Sequence, residues 1–127
     1  MATQRQRDTG VEMALRRALH RRGLRYRLQQ RVVPGAPLRT VDIVFAGAKV
    51  AVDCRACWWH GCPEHREPPT RNREWWLAKL ESNRNRDADT ERRLADDGWF
   101  VVVAWEHDDP EIVADRVAKA LLTRRSG

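Results

Sequence analysis

Lysine is nearly missing from this basic chain. Of its 24 basic residues only Lys49, Lys79 and Lys119 are lysine. Arginine grips phosphate bidentately and stacks on bases, so the bias suits DNA contact, although drift in an arginine-rich proteome produces the same composition. Acidic residues are outnumbered too, 18 against 24, which leaves a formal net charge of +6 and favours a polyanionic partner, most commonly nucleic acid. Cysteine is scarce. The three cysteines, Cys54, Cys57 and Cys62, lie close to histidines and fit a bound metal in a reducing compartment better than a disulfide framework. No apolar run is long enough for a signal peptide or a membrane span, so a soluble, cytoplasmic protein is expected. Neither an internal repeat nor a linker divides the 127 residues, which suffice for one domain with a real core. Residues 1–7 are polar and have little to bury; they read as a flexible arm that orders on a phosphate backbone.

What is present is concentrated between Val50 and His65. This stretch begins as a strand and ends in a cluster of soft ligands. Cys57, Cys62 and His65 follow a C-x4-C-x2-H spacing that lets three side chains converge on one ion. Zinc accepts thiolate and imidazole in tetrahedral geometry, and a closed set of four is structural, not catalytic. Two residues compete for the fourth place: His107, which follows the apolar run Val101–Trp105, and Cys54, through the Cys54-x2-Cys57 spacing. Buried thiols without metal are the plainer alternative.

The remainder reads as alternating elements. Thr9-x-x-Glu12 forms a capping box at the start of a helix whose apolar face runs through Val11, Ala14, Leu15, Ala18 and Leu19 to a stop at Gly23. Glu12 is either that cap or a carboxylate leaning over a site. Leu24–Val33 reads as a first strand, Pro34–Pro37 as a turn, and Val41–Phe45 and Lys49–Cys54 as a hairpin across Ala46-Gly47-Ala48. Asp42 is an anomaly in that hairpin, because a carboxylate in an apolar strand is costly to bury unless a divalent cation or an arginine pairs with it. Residues 66–73 are charged and irregular. Glu74–Ser82 is expected as a helix anchored by Trp76, Leu77 and Leu80, with Asn83 on a face similar to that of Trp76, and Asp87–Asp96 as a second helix. The arginines at 84, 86, 92 and 93 form either a solvated face or a phosphate track. Trp99–Trp105 is a continuous apolar run of the kind buried on both faces. Asp109-Pro110 caps a last helix lined by Val113, Val117 and Leu121. Trp99, Trp105 and Trp75 are core candidates, whereas Trp58 and Trp59 cannot both be buried in a ligand-rich loop. The order of elements predicts an α/β fold with a central mixed sheet.

Taken together, the residues resemble the very short patch repair endonucleases. The resemblance is carried by Arg7–Glu12, Pro34-Gly35, Asp42-Ile43-Val44, the block from Cys57 to His65, Thr70–Leu77, Asn83 with Asp87, and Gly98-Trp99 leading to Trp105-Glu106-His107. It implies a restriction-endonuclease-like single domain, a mixed sheet flanked by helices with a structural zinc site. The implied activity is magnesium-dependent nicking of double-stranded DNA by a monomer, 5′ to the thymine of T:G mismatches left by 5-methylcytosine deamination. Asp42 then matches the magnesium-binding aspartate, with the Cys54 backbone carbonyl as a second ligand. His60 matches the acid–base group near the scissile phosphate, Asp87 the carboxylate that orients it, and Glu12 the first-helix acid. Cys57, Cys62, His65 and His107 match the zinc positions. Trp58, Trp59 and Trp76 match aromatics that wedge into the base stack, a role a flat ring suits because it replaces lost stacking. Asn72 and Asn83 belong to the blocks expected along the DNA.

The chain departs from that family pattern at Asp53, Arg55 and Ala56, where an apolar residue, a histidine or aspartate, and a glycine are usual. Asp53-Cys54-Arg55 after Asp42 parallels the D…(D/E)-x-K pattern of the wider nuclease superfamily, with arginine for lysine. Two readings are open. Asp53 and Arg55 re-form a catalytic site, or they lower activity, since arginine cannot serve as a base at neutral pH. Relatives repurposed for restriction of modified or foreign DNA, or reduced to zinc-stabilised DNA binding, are the alternative functions.

Overall fold

A computed structural model describes residues 10–55 and 71–126. Helix α1 spans Gly10–Arg21, strands β1, β2 and β3 span Arg27–Gln30, Val41–Phe45 and Val50–Arg55, helix α2 spans Arg73–Asp96, strand β4 spans Phe100–Trp105, and helix α3 spans Pro110–Ser126. The strands form one mixed sheet in the order β1-β2-β3-β4. β1–β2 and β2–β3 are antiparallel and β3–β4 is parallel. A parallel neighbour cannot be reached by a tight turn, and the chain from Arg55 to Phe100, including α2, provides the crossover.

The two faces of the sheet bury different things. Ile43, Phe45, Val50, Val52, Val102 and Ala104 pack against Leu15, Ala18 and Leu19 of α1 and Val113, Val117 and Leu121 of α3. Opposite them, Val44 and Ala51 meet Leu94 of α2, Trp99 and Val33 in a smaller cluster. The period-2 alternation of β2 and β3 therefore matches a sheet covered on both sides. α1 and α2 end alike: Gly23 (φ 74°) and Gly98 (φ 88°) take the left-handed conformation. The next residues, Leu24 and Trp99, donate backbone bonds of 3.1 and 3.0 Å to the carbonyls of Leu19 and Leu94, closing Schellman motifs. α3 begins as expected, with Asp109 Oδ1 accepting from the Glu111 amide at 2.9 Å and Pro110 in the first turn.

Four expectations are corrected. The two helices expected at Glu74–Ser82 and Asp87–Asp96 are one helix of 24 residues. Ser82 to Arg86 contains neither proline nor glycine, and its residues cost well under about 1 kcal/mol each in a helix, so nothing breaks it. The helix looked divided because it buries only Leu80 and Leu94; Leu77 is exposed and Trp76 half-buried. Trp75 is not core but 58% exposed, its ring edge-on to Trp76 with centroids 4.5 Å apart. β4 is fully buried on one face only: Val102 and Ala104 point inward, whereas Val101, Val103 and Trp105 on the other face are half-buried, and Phe100 at the start of the strand is exposed. β1 is shorter than Leu24–Val33, and its interior residue Gln29 has a left-handed backbone (φ 51°).

Candidate active site

The β2–β3 turn brings the open ends of its two strands together. Ile43 pairs with Val52, so the next step of the register sets Asp42 opposite Asp53. The Cys54 backbone N–H donates to Asp42 Oδ2 at 2.7 Å. Gln29 Nε2 donates to Asp42 Oδ1 at 3.2 Å, and Thr40 Oγ1 in turn donates to Gln29 Oε1 at 3.0 Å. The left-handed turn at Gln29 is a conformation a non-glycine residue adopts at a cost, here beside the carboxylate it orients. Burial, then the neighbouring charge of Asp53, and less strongly that of Glu12, push Asp42 up to about 7 against the pull of its two hydrogen bonds. Glu12 is buried on α1 with Arg16 at 3.9 Å, and its charge also acts on Cys54.

Arg55 lies on the same face as Asp53, as strand alternation predicts, and its side chain is only 9% exposed. Nε donates to Asp53 Oδ2 at 2.9 Å and lies 3.7 Å from Asp87 Oδ2, while Nη2 donates to Glu91 Oε2. The guanidinium carbon sits 5.6 Å from the centroid of the Trp105 ring, within cation–π range. Burial opposes the Arg55 charge, but Asp53, Glu91 and Asp87 more than offset it, so the group is held charged. The Asp53–Arg55 pair is therefore neither exposed nor isolated. It links the strand end to two carboxylates on α2.

The donor chemistry fits a hard divalent cation. Asp42 and Asp53 offer carboxylate oxygens in a place where burial leaves negative charge poorly compensated, which suits magnesium rather than zinc. Among the described residues no three His, Cys, Asp or Glu side chains close on one point. Magnesium, which keeps several of its own waters, needs no such closure.

Other expected residues are distributed as follows. His60, Cys57, Cys62, His65, Trp58 and Trp59 lie outside the described residues. His107 follows β4, with Nε2 3.5 Å from Asp108 Oδ1. Arg55 pairs with Trp105, and the Glu106 amide donates to the Arg55 carbonyl at 2.9 Å, so His107 stands where the chain leaves β3 toward Cys57. Cys54 packs against the α1–α3 side of the core, and burial pushes its thiol well above the ordinary range. Its side chain therefore lies on the opposite face of β3 from Asp53 and Arg55. Trp76 and Asn83 are half-buried on α2. Asn72 precedes α2 in a left-handed conformation (φ 56°), without a side-chain capping bond.

Two participants were not foreseen. Glu91 had a legible signal: it lies four residues after Asp87 on one helix, hence on one face. Gln29 had none, since a glutamine in a polar strand gives no hint that it faces an aspartate.

Comparison with known proteins adds a family. A model described as DNA mismatch endonuclease Vsr matches residues 1–66. The chain is 40% identical over 111 residues to the Type II nicking enzyme V.NaeI of Lentzea aerocolonigenes, covering 86% of this chain and 66% of that protein. It is 38% identical over 104 residues to the Type II nicking enzyme V.XorIIP of Xanthomonas oryzae pv. oryzae, covering 80% and 73%. To the DNA mismatch endonuclease Vsr of Escherichia coli K12 it is 35% identical over 102 residues, covering 79% of this chain and 62% of that protein.

Proposed function

The chain belongs to the Vsr family of DNA endonucleases, and we propose that it nicks one strand of duplex DNA at T:G mismatches by magnesium-dependent phosphodiester hydrolysis. The observation that carries this reading is the placement of Asp42: opposite Asp53, oriented by the Cys54 amide and Gln29, and poorly neutralised. Asp42, with Asp53 and the Cys54 carbonyl beside it, would hold the metal. Bound there, magnesium would supply the activation of an attacking water and the charge to offset that of the phosphate.

The protein's own groups do the rest. The Cys54 amide and Gln29 fix both oxygens of Asp42, so the carboxylate needs no reorientation during reaction. Glu12 approaches from α1 and adds to the negative field at Asp42. His60 carries a proton to or from the reacting oxygens, and Asp87 contributes through its contact with Arg55. Arg55 is held at Nε by Asp53 and at Nη2 by Glu91, so it acts as a fixed charge within the site. Cys57, Cys62, His65 and His107 would hold a structural zinc. Trp58, Trp59 and Trp76 meet the base stack, with Asn72 and Asn83 toward the DNA backbone.

A second reading is favoured by the identity to enzymes named as type II nicking enzymes: nicking within a restriction system, on modified or foreign DNA. A competition assay separates the two. Equal concentrations of T:G-mismatched, methylated matched and unmethylated matched duplexes are offered together with magnesium. Mismatch repair predicts nicks confined to the T:G duplex, whereas nicking that follows methylation status moves the assignment to restriction.

A further inference from the structure

Asp42 is approached from β1 as well as from β3. Leu28 pairs with Ile43 and Gln30 with Val41, so the register sets Gln29 opposite Asp42. The neighbours of Gln29 keep the ladder while Gln29 itself takes a left-handed backbone (φ 51°), which a non-glycine residue holds only where its surroundings fix it. Its side-chain amide is held at both ends. Nε2 donates to Asp42 Oδ1 at 3.2 Å, and Oε1 accepts from Thr40 Oγ1 at 3.0 Å.

This chain of bonds has a direction. The hydroxyl gives its proton to the amide oxygen and the amide nitrogen gives its own to the carboxylate, so each donor points toward Asp42. A bond accepted at the amide oxygen polarises the group and strengthens the donor at its nitrogen. None of the three residues is exposed, so water competes weakly for these bonds. Thr40 is itself fastened on either side. Arg39 before it donates to Asp89 Oδ2 at 2.7 Å and Thr90 Oγ1 at 3.0 Å on α2, and Val41 after it pairs with Gln30.

We propose that Thr40 is a positioning residue for the metal-binding carboxylate, acting through Gln29 to hold and polarise the amide that orients Asp42. The proposal rests on the reading above, because it takes Asp42 to hold the metal. Thr40 lies between Pro37 and β2 and belongs to none of the residue blocks that carry the family resemblance. A carboxylate held in place beforehand loses less freedom when an ion binds, so the chain of bonds acts on metal affinity.

The test measures that affinity without DNA. Manganese(II), a paramagnetic substitute for magnesium, is titrated into the full-length, zinc-loaded protein and followed by electron paramagnetic resonance. The ion read is the one that Asp42→Asn loses. Thr40→Val keeps the shape but removes the hydroxyl, and it should weaken binding about 2–10-fold, the contribution of one hydrogen bond. Thr40→Ser keeps the hydroxyl and should match the parent. Gln29→Met should weaken binding at least as much as Thr40→Val, and the double variant no more than Gln29→Met alone. Circular dichroism confirms folding; Thr40→Ala and Gln29→Ala, which add no bulk, are read in the same way should a first variant not fold.

A Thr40→Val protein that melts lower but binds manganese like the parent makes Thr40 merely structural and overturns the proposal. So does a Thr40→Ser protein as weak as Thr40→Val, or a double variant weaker than Gln29→Met by the factor that Thr40→Val shows alone. A parent without an ion that Asp42→Asn loses removes the Asp42 metal site, and this proposal with it. The failure of the proposal alone is thereby distinguished from the failure of the reading beneath it.

Discussion

Replacing Asp42 with asparagine should abolish nicking and, in the absence of metal, make the protein more stable. Burial and the charge of Asp53 move the Asp42 carboxyl from 3.8 to about 7. At about 1.4 kcal/mol per pH unit this corresponds to a penalty of roughly 4 kcal/mol on the ionised folded state. The sign follows from linkage. Below about pH 4 the carboxyl holds its proton in both the folded and the unfolded chain, so there is no penalty. Between about 4 and 7 the unfolded chain releases the proton first and stability falls with rising pH; above about 7 the full penalty applies. Asparagine removes the charge, but it cannot accept hydrogen bonds from both the Cys54 amide and Gln29, a loss of about 1 kcal/mol. The net gain is roughly 2–3 kcal/mol at pH 8, or a Tm rise on the order of 8–12 °C for a domain of this size. The assay is a pair of thermal melts at pH 8 and pH 4 with chelator present, parent against Asp42→Asn. Magnesium at about 100 times its Kd should then stabilise the parent by roughly 2.7 kcal/mol and leave the variant unmoved. A variant less stable than the parent at pH 8, or one with the same gain at pH 4, would refute the reasoning.

Three further outcomes are expected. His60→Ala should slow nicking by about 10²–10⁴-fold with little change in DNA affinity, and undiminished turnover would place the proton transfer on another group. His107→Ala should lose bound zinc in metal analysis of the purified protein while Cys54→Ser retains it; the opposite pattern would make Cys54 the fourth ligand. The third concerns Asp89, whose carboxyl is held down at about 2 by hydrogen bonds from Arg93 and Arg39. It contributes stability that is present above about pH 4 and is lost as pH falls toward about 2. Asp89→Asn should therefore be less stable at neutral pH and show a shallower acid transition, and identical acid melts would remove these contacts from the account.

The parts of the fold that alternation could reach were legible. Val41–Phe45 and Val50–Arg55 are adjacent strands joined by a short turn, as alternation suggests, but the register that sets Asp42 opposite Asp53 needs a turn one residue longer than Ala46-Gly47-Ala48, with Lys49 left-handed (φ 57°) within it. The same period placed Arg55 with Asp53 and turned Cys54 toward the other core. What escaped depends on packing between distant elements. Nothing local says that α2 crosses the sheet so that Asp87 and Glu91 reach Arg55 from 32 and 36 residues away. The continuity of α2 escaped for a related reason: a helix with two buried residues leaves little periodic trace. The exposure of Trp75 escaped because hydrophobicity reports what a residue favours, not whether a neighbouring element covers it.

The central claim is strand-specific, metal-dependent cleavage directed by Asp42. The direct measurement is single-turnover cleavage of a T:G duplex carrying a different label on each strand, with magnesium or with chelator, by the parent and by Asp42→Asn. The account predicts a single product, from the thymine-bearing strand, formed only by the parent and only with magnesium. Equal cutting of both strands, cleavage under chelation, or an active Asp42→Asn would contradict it.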